Sequence, residues 1–412
     1  MRITRLIHNV CYTVSAARVP GHSAARVLTM RIVLITDSYL PTVDGVMTAV
    51  VTTKKELTAM GHEVTVIAPD PGKDMREPGT VYFPAIGFKK YKGYYLPIFR
   101  SNKIEVIKGL CPDIIHIFGS ALMALKGLFA SRALKIPTVT TYVTSVAEVI
   151  GDYSPIKLPA DVLDRLVWIF LRQFLKRPGA VVVPTAPIAE ELKEHGVRPR
   201  RMEIIHIGVD TERFRRNEEG GKRIREKHGL GSKKVVICVG RLSAEKNIDL
   251  LIRSMRHIGD AVLLIAGKGP ADAELRQLSR ELALEDRVIF AGFVPDEELV
   301  SYYSAADIAA SCSRFETQGL TILEAMACGL PAACADARAF TDTIQNGVNG
   351  YKFDQNEEAC AEAVIRCLNG ADAMSAAARA TAEKNSVRET AVKLEALYED
   401  IVRTHRERCG KR

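Results

Sequence analysis

The chain has 412 residues, 47% of them hydrophobic and 26% charged, which gives apolar surface enough for two cored domains and excludes disordered and collagen-like architectures. Its formal net charge of +8 is unevenly placed: residues 30–208 carry 23 Lys and Arg against 17 Asp and Glu, whereas residues 209–385 carry 23 against 27. An acidic partner is therefore expected at the first half.

The first 29 residues hold four arginines, no acid and no continuous apolar core, a poor secretory signal. They read as a disordered extension or a mis-assigned start, with a basic membrane-touching arm as the alternative. From Met30 the pattern changes. Residues 31–37, 63–69, 113–119, 137–143, 180–185 and 202–208 are short, nearly continuous apolar runs, as parallel strands buried on both faces must be. Helix-length segments such as 46–60 and 187–196 separate them, the alternation of a doubly wound sheet.

A polar, Gly- and charge-rich passage, residues 206–223, is suited to a linker, after which the alternation restarts. Strands are expected at 234–240, 261–267, 287–293, 307–313 and 331–336, with helices near 247–257, 272–283, 296–304, 320–328 and 356–368. The tail from Ser386 to Arg408 is helical by pattern, with an apolar stripe of Val392, Leu394, Leu397, Tyr398, Ile401 and Val402 that should pack on one of the domains. The expected organisation is thus 30–208 and 209–385 as two tandem Rossmann-like α/β domains facing a central cleft, with a C-terminal helix and basic tail over 386–412.

The nine cysteines are scattered, without C-x-x-C or Cys/His metal spacing, so a reduced cytosolic chain without structural zinc is expected. No apolar stretch approaches the roughly 18 to 20 residues of a membrane-spanning helix, which leaves peripheral contact as the form any membrane association would take.

A strict G-x-G-x-x-G is missing: "GKGPAD" supplies Gly267 and Gly269 without a third glycine, and P-loop spacing is absent, which weakens a dehydrogenase reading. "CVGRLSAEKNIDLLI" places Arg241 and Lys246 on one loop between a strand and a helix, where two cations would neutralise a diphosphate; taken alone, the loop also fits an ordinary solvated basic turn. "SRFETQGLTILEAMACGLP" supplies the complement. Glu316 lies on a loop, and Gly319 precedes a helix whose first N–H groups, near Gly319, Leu320 and Thr321, suit an anion. Glu324, one turn into that helix, suits a ribose diol, and Glu316 is free to reach a sugar. A carboxylate pair also fits a glycosidase, but the doubly wound sheets and the cations favour a nucleotide sugar.

In order and spacing, "TDSYLPTVDGV", "VGRLSAEKNID", "GKGP", "GFVPDEEL" and "SRFETQGLTILEAMACGLP" resemble the retaining GT-B glycosyltransferases of glycosyltransferase family 4, over nearly all of residues 30–400. The resemblance implies that Glu316 contacts the donor hexose and Glu324 the ribose. It implies that Arg241 and Lys246 bind the diphosphate, that Gly45 lets the N-terminal loop approach the phosphates, and that Val294 falls where backbone reads the base. It further implies transfer through an oxocarbenium-like state with charge gathering on the departing diphosphate, with no metal and no cofactor beyond the nucleotide-sugar co-substrate. One departure is evident. Many relatives carry a histidine where this chain has Val143, so acceptor positioning must rest on other atoms, with His116, Thr141, Tyr142, Thr144, Ser145 and Glu148 as candidates. His116, flanked by isoleucines, also reads as a packed strand residue.

Residues 88–103 interleave Lys89, Lys90, Lys92, Arg100 and Lys103 with aromatics, among them Tyr94 and Tyr95, and contain no acid. That composition suits an anionic membrane interface; nucleic acid or a plain solvated loop would fit it too. Segment 161–178 carries Trp168, the single tryptophan, with Arg165, Arg172, Lys176 and Arg177, and reads either as an interfacial helix or as a buried domain helix. In the resembling family the N-terminal domain binds the acceptor, and the "ETQGLT" wording is similar to that of enzymes glucosylating diacylglycerol-type lipids. The expected activity is transfer of a hexose, glucose from UDP-glucose, to a lipid or lipid-linked acceptor at the cytosolic face of the cell membrane, with nucleic acid not expected as a partner. Alternatives are a soluble sugar or glycan acceptor, a nucleotide-sugar 2-epimerase, and a non-catalytic basic binding protein on the same scaffold.

Overall fold

The structure, a computed structural model, describes residues 29–42, 44–87, 94–98, 104–143 and 159–410. In the first half the strands are β1 (Arg31–Thr36), β2 (Glu63–Pro69), β3 (Thr80–Phe83), β4 (Ala85–Gly87), β5 (Tyr95–Pro97), β6 (Ile114–Phe118), β7 (Thr138–Thr141), β8 (Ala180–Val183) and β9 (Met202–Ile204). β4 and β5 form a separate antiparallel hairpin, and the other seven make one parallel sheet in the order β3-β2-β1-β6-β7-β8-β9.

Strand parity sorts the core into two layers. Val33, Ile35, Ile115, Ile117, Val181 and Val183 face the helices Leu122–Leu134, Ala160–Leu175 and Ala186–Glu194. Ile32, Leu34, Ile114, Phe118, Val139 and Val182 face the helix Gly45–Ala59 and the C-terminal helix Val387–Gly410. The tail therefore returns to the first sheet, burying Ala391, Leu394, Leu397, Tyr398 and Val402, while Val392 points to solvent.

The second sheet runs β12-β11-β10-β13-β14-β15, built from β10 (Lys234–Val239), β11 (Ala261–Ala266), β12 (Val288–Gly292), β13 (Ile308–Ser311), β14 (Ala332–Ala335) and β15 (Gly350–Phe353), all parallel. The short strands β3 and β15 lie at sheet edges, and four residues are too few for a clear period.

The expected linker is only partly one. Residues 218–227 form a helix capped by Asn217, whose side chain accepts the Gly220 N–H at 2.9 Å. Gly220 and Gly221, which read as breakers, instead admit the helix Leu299–Ala305: a Cβ on Gly221 would lie 2.6 Å from the Ser304 carbonyl oxygen. The two passages between the domains run side by side, with Val209 and Val387 exchanging backbone bonds with residues 385 and 209.

In each sheet the strand order reverses once, between β1 and β6 and between β10 and β13. The loops after those strands therefore splay apart and open a crevice at the carboxyl edge.

Candidate active site

The second crevice collects the residues singled out by sequence. After β10 the chain turns through a short 3-10 segment, Ala244–Lys246, presenting Arg241, which donates to Glu245 Oε1 at 2.9 Å, and Lys246. This loop is laced onto the glycine loop that follows β11: Leu242 N–H donates to the Lys268 carbonyl at 3.1 Å, and Ala271 N–H to the Leu242 carbonyl at 2.9 Å. A Cβ on Gly267 would sit 1.8 Å from the Gly240 oxygen, so the glycines of "GKGP" serve this backbone packing.

Across the switch point, Lys246 Nζ donates to Glu316 Oε1, joining the loop after β10 to the loop after β13. Three residues on, Gly319 takes φ +76° and ψ 52°, and a Cβ there would meet Phe340 Cε1 at 2.4 Å. It opens the helix Leu320–Ala327, whose internal bonds begin with Ile322 and Leu323 donating to the Gly319 carbonyl, so the N–H groups of Gly319, Leu320 and Thr321 lie ahead of them. From the other domain comes Gly45, first residue of the helix Gly45–Ala59; a Cβ built on it would lie 3.7 Å from Leu320 Cδ1. The first residues of two helices, one per domain, thus come within van der Waals reach at the cleft.

Glu324 sits apart from the Lys246–Glu316 pair. Its Oε2 accepts from Tyr303 Oη at 2.8 Å. Burial pushes its carboxyl up to about 7, against the lowering influence of the Tyr303 hydroxyl and the nearby Arg213, itself paired with Asp296 at 2.6 Å. Tyr303 and Arg213 are missed by sequence reasoning: one looks like an ordinary apolar helix position, the other like linker charge. Val294 follows β12 and packs, half-buried, on the core of the second domain.

In the first crevice, Asp37 directly follows β1 and accepts N–H bonds from Met123 at 2.6 Å and Ala121 at 3.2 Å, closing off the start of the helix Leu122–Leu134; burial pushes its carboxyl up to about 6. Asp44 caps the helix Gly45–Ala59 through Met47 N–H and accepts from Ser38 Oγ at 2.6 Å and Tyr94 Oη at 3.0 Å, so Tyr94 ties the hairpin to this loop. Tyr95 is half-buried in β5, opposite Gly87.

Two expected acceptor contacts are corrected. Trp168 is 5% exposed and stacks on His195 with ring centroids 3.7 Å apart, because the inward stripe of its helix, Val167, Leu171 and Phe174, carries it into the core. Tyr142, 1% exposed, packs in the same layer. His116 is likewise interior: its ring bonds Thr141 Oγ1 at 2.6 Å on one side and Tyr398 Oη on the other, and burial pushes it down to about 3, so it stays neutral. Lys89, Lys90, Lys92, Lys103, Arg100, Thr144, Ser145 and Glu148, together with residues 1–28, lie outside the described residues.

The outward face of the Trp168 helix carries a different signal. Val162, Leu166 and Ile169 are 41%, 50% and 45% exposed in one stripe beside exposed Arg165 and Lys176, and Phe129 on the neighbouring layer helix is exposed as well. Among the described residues no helix is long and apolar enough to cross a membrane, and no group of three or more His, Cys, Asp or Glu side chains gathers as a metal site.

Comparison with known proteins agrees with this geometry. The family described as Glycosyltransferase Family 4 matches residues 43–213, and the family described as Glycosyl transferases group 1 matches residues 221–385. The chain is 31% identical to an alpha-monoglucosyldiacylglycerol synthase of Acholeplasma laidlawii, over 80% of this chain and 86% of that protein. It is 32% identical to an alpha-monoglucosyldiacylglycerol synthase of Streptococcus pneumoniae, over 82% of this chain and 78% of that one. In fold it is similar to Anabaena Alr3699/HepE, solved in complex with UDP and glucose, with a TM-score of 0.71 at 18% identity, covering 90% of this chain and 100% of that chain. Two facing parallel-sheet domains, both family matches and these relatives agree: the chain is a glycosyltransferase of the GT-B fold and belongs to glycosyltransferase family 4.

Proposed function

We propose that the protein transfers a hexose, glucose from UDP-glucose, to a lipid or lipid-linked acceptor with retention of anomeric configuration. The observation that carries this reading is the joining of Lys246 to Glu316 across the switch point, beside Arg241 and the start of the helix Leu320–Ala327. Cations and an open helix start suit the diphosphate, and a carboxylate one loop away suits sugar hydroxyls.

Within the cleft Lys246 and Glu316 neutralise each other, since either charge alone would be costly where it is shielded from water. On donor binding Lys246 exchanges Glu316 for a phosphate oxygen, and Glu316 turns to the hexose. As the bond from the anomeric carbon to the diphosphate breaks, negative charge grows on the leaving group. Arg241, Lys246 and the N–H groups of Gly319, Leu320 and Thr321 stabilise it more than they stabilise the intact donor. Glu324, steadied by Tyr303, accepts from the ribose. Gly45 closes the site from the first domain, and backbone beside Val294 meets the base. In this scheme the donor's charge is met by protein groups alone, without metal or cofactor.

The lipid acceptor is supported by the similarity to two alpha-monoglucosyldiacylglycerol synthases and by the exposed stripe of Val162, Leu166 and Ile169 flanked by Arg165 and Lys176. Apolar side chains beside cations are suited to an anionic membrane surface, here the cytosolic face. The test is to incubate the full chain with radiolabelled UDP-glucose and diacylglycerol in anionic vesicles. Labelled α-glycolipid, lost in Glu316→Ala, is the expected result. Donor consumption without any lipid product, or isomerised donor without nucleotide release, would sink the reading.

A further inference from the structure

The loop that carries Glu316 belongs to the second domain, yet the first domain holds much of its length. Thr317 Oγ1 donates to the Val143 carbonyl at 3.0 Å, and Thr185 Oγ1 donates to the Thr317 carbonyl at 3.2 Å. Arg338, its guanidinium 5.5 Å from the Phe315 ring, reaches Glu191 of the first domain at 3.2 Å. At the centre is Gln318, 2% exposed. Its Oε1 accepts the Ile207 N–H and its Nε2 donates to the Ile207 carbonyl, so one side chain takes both backbone groups of a residue lying 111 positions earlier.

Ile207 lies just past β9 and two residues before Val209, which pairs with the returning passage at Ser386. The strand, expected to run to residue 208, ends at Ile204; Ile205 N–H still donates to the Val183 carbonyl at 3.0 Å, and beyond it Gln318 satisfies the Ile207 groups. Seen from the cleft, the amide links the crossing between domains directly to the stretch Glu316–Gly319.

We propose that Gln318 is a positioning residue: its amide clasps the interdomain crossing and thereby makes the pose of Glu316 and the start of the helix Leu320–Ala327 depend on the relative placement of the two domains. An amide can do this because it matches the backbone donor and acceptor at once, as a neighbouring strand would. Rotation of one domain against the other must break these two bonds or carry the loop along. The backbone at Val143 is part of the same device, its carbonyl accepting from Thr317 Oγ1. The effect on catalysis rests on Glu316 being a donor contact; the clasp itself does not.

The experiment compares Gln318→Met, which keeps length and burial but loses both bonds, and Thr317→Val, which loses only the bond to Val143, with wild type and Glu316→Ala. Amide hydrogen exchange of the full chain reads the clasp, and steady-state transfer from the nucleotide sugar reads its consequence. For Gln318→Met, exchange should rise in 205–209 and 313–319 while the two sheets keep their protection. The turnover number should fall on the order of 10- to 100-fold, since small displacements of positioning groups carry penalties of that size. The dissociation constant of free UDP should change several-fold less than the turnover number, because Arg241 and Lys246 are held within their own domain and only the helix start moves with the clasp. Thr317→Val should move the same peptides and the turnover number less. Unchanged exchange in both segments would overturn the proposal, as would a uniform rise across both sheets, the mark of a simple packing residue. Full activity in Glu316→Ala would overturn the donor-site reading instead, leaving the exchange result to decide the clasp.

Discussion

Glu324 sets the needs of the fold against those of the ligand. Its carboxyl has an ordinary value of 4.5 and a folded value of about 7, raised by burial. Kept ionised at pH 8, such a group costs the folded state about 3 kcal/mol relative to a neutral one. Glu324→Gln keeps the shape and an oxygen to accept from Tyr303 Oη, and it removes the charge. The sign follows from proton binding. Between pH 4.5 and 7 the folded wild type holds a proton that the unfolded chain has released, so wild-type stability from this group falls as pH rises and is fully present only below 4.5. Glu324→Gln should therefore match wild type at pH 4.5 and exceed it by up to about 3 kcal/mol at pH 8. For a domain of this size that is an upward shift of about 6 to 12 °C in the melting temperature. The same change should weaken donor binding: hydrogen bonds from a ribose diol to a carboxylate contribute about 1 kcal/mol more each than bonds to a neutral amide oxygen, so KM for the nucleotide sugar should rise about 5- to 30-fold. Thermal unfolding at the two pH values, paired with donor kinetics, checks both halves. Equal stability at pH 8, or an unmoved donor KM, would refute the reasoning.

Gly319→Ala should destabilise the second domain by about 2 to 4 kcal/mol, because a left-handed backbone is costly for an L-residue and Phe340 must also move; urea unfolding measures it, and adding Phe340→Leu should recover part of the loss. Leu166→Glu together with Ile169→Glu alters exposed positions only, so stability should change by less than about 0.5 kcal/mol per site while binding to anionic vesicles falls about ten-fold or more in a sedimentation assay.

Much of the architecture is legible in the sequence because parallel strands covered on both faces leave an unmistakable mark. RIVLIT, AVVV and AVLLIA have no polar residue facing either layer except at strand ends. The proposed donor side is legible for a related reason. Arg241, Lys246, Glu316 and Gly319 lie on loops that directly follow strands, so linear order already places them at the carboxyl edge. The edge strand GYKF and the helix behind Asn217 are not legible, because their signals are four residues long in one case and broken by Gly-Gly in the other.

What the sequence determined by itself is therefore the local chemistry: two wound sheets, a cationic turn, a glycine-started helix and two carboxylates. The tertiary structure decided which face each side chain meets. It sent Trp168 and Tyr142 into the core and turned Val162, Leu166 and Ile169 outward, since helix phase depends on what the sheet beneath will accept. It made Tyr303 the partner of Glu324, Lys246 the partner of Glu316 and Gln318 the partner of Ile207. These last contacts join residues from 21 to 111 positions apart. Local pattern fixes the phase of a strand or helix; pairings at such separations exist only once the sheets have stacked the crossovers and brought the two domains face to face.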